Sequence, residues 1–414
     1  MIFVLCAWTN LMRAQEITCK IRGTVVGRES SSIFLLKETE DIRFTGTEIP
    51  VTVGNQFEYD LKAPVSEQYT LIFKDEMDKG IMRPIYFFPE NGIVELTLFS
   101  ISDYNKNVIS GGKLNKEMGD FNKAQSDLFN PVFKPFYDAL DSLYKANQYY
   151  SHEYLAIQDK LGKTEDQEEE NKLYKMREDL LKAGKGYTPA VSFLNHTCDS
   201  INRLKTSWVN EFVRNNQDEF GYSLILKQVR EFKEHPANVD LAFIREILPA
   251  FSRLFPSHPY TAMIRDIFNA TGTVVVGGKY VDFTASTLDG KEVRLSDIIA
   301  GKVALIDLWA SWCGPCRARS KSMIAVYEKY KSKGFVVIGI ACEYDNTDAL
   351  KIALAYDNYP WLNLVELNNK NGIWNKYNVT GGGGSTFLVD ATGKILAILP
   401  DKEEADRILE GLLK

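Results

Sequence analysis

The stretch Val303-Ala304-Leu305-Ile306-Asp307-Leu308-Trp309-Ala310-Ser311-Trp312-Cys313-Gly314-Pro315-Cys316 decides how this chain is read. Residues 303–309 are an apolar, β-rich run, and a helical pattern follows from about residue 313 to 331. Two cysteines at such a strand-to-helix junction point to redox chemistry, because the thiolate is the nucleophile in thiol–disulfide exchange. The first turn of a helix has unpaired N–H groups and the positive end of the dipole, both of which favour a negative sulfur. Cys313 is therefore expected to attack, and Cys316, one turn later and more enclosed, to resolve. Pro315 suits the first turn, where its missing N–H costs little, and Gly314 lets a client backbone come close. A Cys-x-x-Cys pair also occurs as half of a zinc site or as a structural disulfide. Zinc wants a second pair or suitably spaced histidines, and His152, His196, His235 and His258 all lie in another part of the chain. A structural disulfide leaves the placement after a strand and two tryptophans unexplained.

Working outward toward the C-terminus, residues 335–340 form a second apolar run, so strand, helix and strand make a parallel crossover. A helix over 347–356 and a strand over 362–367 follow. Residues 385–389 and 395–399 read as a hairpin joined by 390–394. The last helix opens on Asp401 and Glu404, spaced as a capping box, and puts Ala405, Ile408, Leu409 and Leu412 on one face. Cys342 ends the second strand at the sheet edge that Cys313 occupies. It reads as a third redox thiol or as a buried core cysteine, the second being favoured.

Toward the N-terminus the period changes twice. Residues 113–272 read as helical: Phe121, Ala124 and Leu128, then Phe136, Leu140 and Leu143, recur at helical spacing, and further helices follow at 173–181, 191–213, 223–232 and 241–251. The charge block at 164–171 reads as a solvated linker or helix end. Residues 15–112 read as an all-β domain of short strands, with Asn91-Gly92 as a hairpin turn between two apolar runs. The part that carries the Cys-x-x-Cys pair then spans 273–414. A chain of 414 residues is long enough for several such domains. Its net charge of -6, with no basic stripe, gives nucleic acid no footing, and no run reaches the roughly 18 apolar residues of a membrane span. The run at 2–12 ends at Arg13-Ala14-Gln15 and reads as the apolar core of a secretory signal, residues 1–14, without the usual basic start. Cys6 within it lacks the small preceding residue of a lipid-modified cysteine. Beyond that run stand Cys19, Cys198, Cys313, Cys316 and Cys342, too few for a disulfide scaffold.

The segment Trp309 to Cys316, preceded by Asp282-Phe283-Thr284, Leu288-Asp289-Gly290-Lys291 and Leu295-Ser296-Asp297, resembles the TlpA/ResA-like branch of the thioredoxin superfamily. The β-rich region, through Phe57-Glu58-Tyr59 and Phe87-Phe88-Pro89-Glu90-Asn91-Gly92, resembles the DUF4369-type domain of Bacteroidetes proteins. The first resemblance implies a thioredoxin fold, no cofactor and no metal, and an extracytoplasmic thiol–disulfide oxidoreductase. Its partners would be disulfide-bearing protein clients and a membrane-linked thiol reductant. The Gly-Pro dipeptide resembles that of thioredoxin and implies the reducing direction; a disulfide oxidase or isomerase, or a binding protein using the domain as scaffold, are the alternatives. Asp307 matches a buried aspartate that helps to deprotonate the resolving cysteine. The other reading, a strand-end carboxylate facing water, is opposed by the flanking Ile306 and Leu308. Trp312, Gly314, Pro315 and Gly384 are the expected supports of the site. Gly384 departs from the family, which places a cis-proline there. Without proline a cis bond costs about 3–4 kcal/mol, so a trans bond or a mobile loop is expected. Arg319 and Ser320 also depart, standing where relatives more often have Glu and Pro.

Overall fold

The computed structural model describes residues 16–41, 45–379 and 383–413. The signal-like run, with Cys6, and Gly381 and Gly382 lie outside these residues. The chain has an N-terminal β domain, a helical middle and a C-terminal α/β domain of the thioredoxin fold. It divides into two compact units, Met1–Leu224 with His235–Pro249, and Ile225–Glu234 with Ala250–Lys414.

In the first unit the strands are β1 (Ile17–Val26), β2 (Ser32–Lys37), β3 (Thr47–Pro50), β4 (Gln56–Ala63), β5 (Tyr69–Phe73), β6 (Ile85–Phe87), β7 (Gly92–Phe99) and β8 (Val108–Ser110). They form two sheets, ordered β4-β1-β7-β8 and β3-β2-β5-β6. Alternation along β1 buries Cys19, Ile21 and Val25 in a core that also takes Leu71, Phe73 and Phe87. Gly23 interrupts that row because its cross-strand partner Phe57 lies over it; a Cβ there would stand 2.0 Å from the ring.

Asn91-Gly92 is not a hairpin turn. It joins β6 of one sheet to β7 of the other, and β7 runs parallel to β1. The reason is local. Asn115, in the helix Lys113–Lys145, bonds both the N–H and the carbonyl of Phe88, and the Glu90 carboxylate accepts from the N–H groups of Lys113 and Leu114. Residues 88–90 are thus committed to starting a helix, and no strand ladder is left for a hairpin. Phe121 of the same helix stacks on Trp208 at 4.9 Å, within the helix Pro189–Asn215.

The second unit contains β9 (Thr284–Ser286), β10 (Glu292–Arg294), β11 (Ala304–Trp309), β12 (Val336–Glu343), β13 (Leu362–Leu367), β14 (Ser385–Val389) and β15 (Ile395–Ile398), in the order β10-β9-β13-β12-β11-β14-β15. β11 lies parallel to β12 and antiparallel to β14, and every residue of it is buried. That burial on both faces is what its continuous apolar sequence encodes. Ala270 and Val274, at the end of the helix Pro259–Thr273, belong to the same core.

The helix expected over 313–331 is two: Gly314–Ser322 and Ile324–Tyr330. The break needs no proline. The Met323 N–H bonds three residues back, to Ser320 O, while the Met323 side chain is buried with Val326 and Leu388. The last helix, Lys402–Leu412, is capped by Asp401, which accepts from the Glu404 N–H. No helix among the described residues is long and apolar enough to cross a membrane.

Candidate active site

β11 ends in the core, and the chain crosses Ala310 to Trp312 before the helix Gly314–Ser322 begins. Cys313 is the N-cap of that helix. Its Sγ accepts from the Cys316 N–H at 3.3 Å, and the two cysteines form a disulfide with their Cα atoms 5.3 Å apart. Cys313 is 6% exposed and Cys316 1%, so the outer sulfur is that of Cys313. Pro315 occupies the first turn, and the space beside Gly314 is open.

The loop before the cysteines is fixed from below. Ser311 donates through its N–H and its hydroxyl to the two oxygens of Glu343, both at 2.7 Å. Burial pushes the Glu343 carboxyl up, and the Ser311 hydrogen bonds oppose it. Trp312 donates from Nε1 to the Cys342 carbonyl at 3.2 Å. The Cys342 thiol is itself buried, as are those of Cys19 and Cys198. From the same helix Arg317 grips Asp357 through Nε and Nη2 at 2.6 and 3.0 Å, with Lys321 and Tyr359 bonded to the same carboxylate. Burial works to raise Asp357, but these hydrogen bonds together outweigh it and hold the group at about 2.

Asp307 is buried in the middle of β11, with the Ser320 hydroxyl 2.5 Å from its Oδ2. Burial pushes it up to about 6, against the Ser320 hydrogen bond and the charge of Arg319. A carboxyl at that value exchanges protons near neutrality.

Gly384 sits over the inner sulfur. Its N–H donates to Cys316 Sγ at 3.0 Å, and a Cβ here would stand 2.0 Å from the Leu308 carbonyl oxygen. The bond preceding it is trans. Gly384→Pro removes this donor and crowds β11, so a loss of about 1–3 kcal/mol is expected, with slower disulfide reduction. Thermal melting and a turnover assay check this together. A variant equal to the parent in both would mean that the loop accepts proline without cost.

Sequence reading did not find Glu343, Arg317, Lys321 or Asp357, and noted Ser320 only as a departure. Glu343 had a signal: the β11–β12 register pairs Trp309 with Ala341, and two further steps bring position 311 opposite 343. The Asp357 cluster had none, since Arg317 lies 40 residues from the carboxylate that it grips. Among the described residues no group of His, Cys, Asp and Glu is arranged to hold a metal ion.

The model of the AhpC/TSA family matches residues 276–398. The chain is 29% identical over 151 residues to the thiol-disulfide oxidoreductase ResA of Geobacillus kaustophilus, covering 36% of this chain and 83% of that protein. To ResA of Bacillus thuringiensis it is 30% identical over 139 residues, covering 34% and 77%. A solved thioredoxin domain of a thiol-disulfide oxidoreductase from Bacteroides vulgatus is 25% identical, covering 34% and 99%, with a TM-score of 0.31. This chain belongs to the thioredoxin-fold thiol–disulfide oxidoreductases that include ResA, and it is an enzyme of that class.

Proposed function

We propose that this enzyme is an extracytoplasmic reductase of protein disulfides, with Cys313 as the attacking thiol and Cys316 as the resolving one. The observation that carries this reading is the asymmetry of the pair: Cys313 caps a helix with a backbone N–H on its sulfur, and Cys316 lies beneath it. In the reduced enzyme that N–H and the helix dipole favour a thiolate at Cys313. The thiolate attacks one sulfur of a client disulfide and expels the other as a thiolate, giving a mixed disulfide. Cys316 then loses its proton, with Asp307 as acceptor, and attacks Cys313 Sγ. The Cys313–Cys316 bond forms and the client's second sulfur leaves with the electron pair, so the client is reduced and the enzyme oxidised. Gly314 leaves room for the client backbone, while Trp312 and Pro315 shape the rim. A membrane-linked thiol reductant would restore the dithiol. The signal-like run at residues 2–12 supports the extracytoplasmic placement.

Reduction of insulin with a dithiol as electron source tests the reading. The enzyme should accelerate insulin precipitation and Cys313→Ser should abolish the effect. Absence of turnover in the unsubstituted protein would leave the domain a scaffold.

A further inference from the structure

A single hydroxyl proton faces two acceptors beneath the resolving cysteine. Ser320 Oγ is 2.5 Å from Asp307 Oδ2 and 3.0 Å from the carbonyl oxygen of Cys316. Both residues are 1% exposed, which leaves little room for bulk water. The second carboxyl oxygen of Asp307, Oδ1, is buried with no hydrogen-bond partner. Ser320 therefore supplies the hydrogen bond to this carboxyl among the described residues. A serine hydroxyl has one proton, so it can donate to Asp307 or to the Cys316 carbonyl, but not to both at once. A serine bonded to the carbonyl four residues earlier is common in helices and by itself means little. What sets this one apart is the buried acid at its other side.

We propose that Ser320 is a positioning residue of the resolving step: its hydroxyl turns between Asp307 and the Cys316 carbonyl, so that Asp307 keeps a hydrogen bond both as carboxylate and as carboxylic acid. Before the step Ser320 donates to the Asp307 carboxylate. The proton leaves Cys316 Sγ and is held on Asp307. The Cys316 thiolate attacks Cys313 Sγ, the bond between Cys313 and the client sulfur breaks, and that sulfur departs with the electron pair. Asp307, now an acid, donates to Ser320 Oγ, and the serine proton turns to the Cys316 carbonyl. A buried carboxyl left without a partner in either state would pay its desolvation in full. The charged and titratable groups that act on Asp307, or on which it acts, are Arg319, one residue before Ser320 on the same helix, and Tyr359 from the segment before β13. In the sheet, β12 sets Gly339 and β14 sets Thr386 beside it, neither of them charged.

The inference rests on Asp307 as the proton acceptor, and the test separates the two. A small aromatic disulfide such as Ellman's reagent releases one chromophore when Cys313 attacks and a second when Cys316 resolves. Stopped-flow traces across pH therefore follow both steps in one experiment. Ser320→Ala should move the midpoint of the second phase to higher pH, because the carboxylate has lost its donor, and should leave the first phase in place. Ser320→Thr, which keeps the hydroxyl, should hold the parental midpoint. In an Asp307→Asn background, Ser320→Ala should cause no further change in the second phase. An unmoved midpoint in Ser320→Ala, or the same effect with and without Asp307, overturns the role of Ser320. A second phase unchanged by Asp307→Asn alone overturns the acceptor reading, and this inference with it.

Discussion

Cys316→Ser should accumulate covalent adducts with client proteins that disappear on reduction. Thiol–disulfide exchange passes through a mixed disulfide on the attacking sulfur, and only a nearby second thiol displaces it quickly. In this enzyme that thiol is held beneath Cys313, with the Cα atoms 5.3 Å apart. A serine hydroxyl in its place is not ionised near neutral pH and does not displace a sulfur. The variant, expressed in its own cells and separated without reductant, should run as a ladder of higher-mass species. Adding Cys313→Ser should remove the ladder, because the double variant has no attacker. The trapped proteins would identify the clients directly. If no adduct depends on Cys313 while other reductases trap clients under the same conditions, the reductase reading fails.

Asp307→Asn should make the thioredoxin domain more stable at pH 8 while slowing the resolving step. Burial lifts Asp307 from an ordinary 3.8 to about 6. An acid raised on folding holds its proton more tightly in the folded than in the unfolded chain. Its contribution is therefore fully present below about pH 4 and is lost as pH rises through about 6. At pH 8 the folded protein carries a buried carboxylate at a cost of about 3 kcal/mol. Asparagine has nearly the same shape and no charge to bury, so about that much should be regained. The gain should shrink as pH falls and vanish toward about pH 3, where Asp307 is mostly protonated in both states. Denaturant unfolding of the oxidised protein, followed through the transition of this domain, measures it at the two pH values. An equal gain at both would exclude the buried charge as its source.

The parts of the second unit that were legible in the sequence are those whose signal is local. Residues 303–309 are apolar at every position but one, and a strand buried on both faces has just that pattern. The burial of Asp307 followed from its neighbours Ile306 and Leu308. The start of the last helix was legible because its cap lies three residues from its partner. What escaped depends on distant partners. Asn91-Gly92 has the composition of a hairpin turn, but the neighbouring segment is bonded to Asn115 and to the helix start at Lys113. The break at Met323 carries no glycine or proline to announce it. Ser320 read as a departure without a purpose, since its meaning appears only when a helix thirteen residues on is laid against β11.

The backbone donor at Gly384 bears on the direction of electron flow. An N–H aimed at Cys316 Sγ is worth more to a thiolate than to a disulfide sulfur, because charge strengthens the acceptor. It thereby favours the dithiol over the disulfide and raises the midpoint potential of the pair. Proline at this position would have no N–H to offer. For a two-electron couple, about 1.4 kcal/mol of such preference corresponds to about 30 mV. At equilibrium the donor therefore makes this pair give up electrons less readily; the slower reduction expected of Gly384→Pro is a matter of rate, set by the crowding of β11.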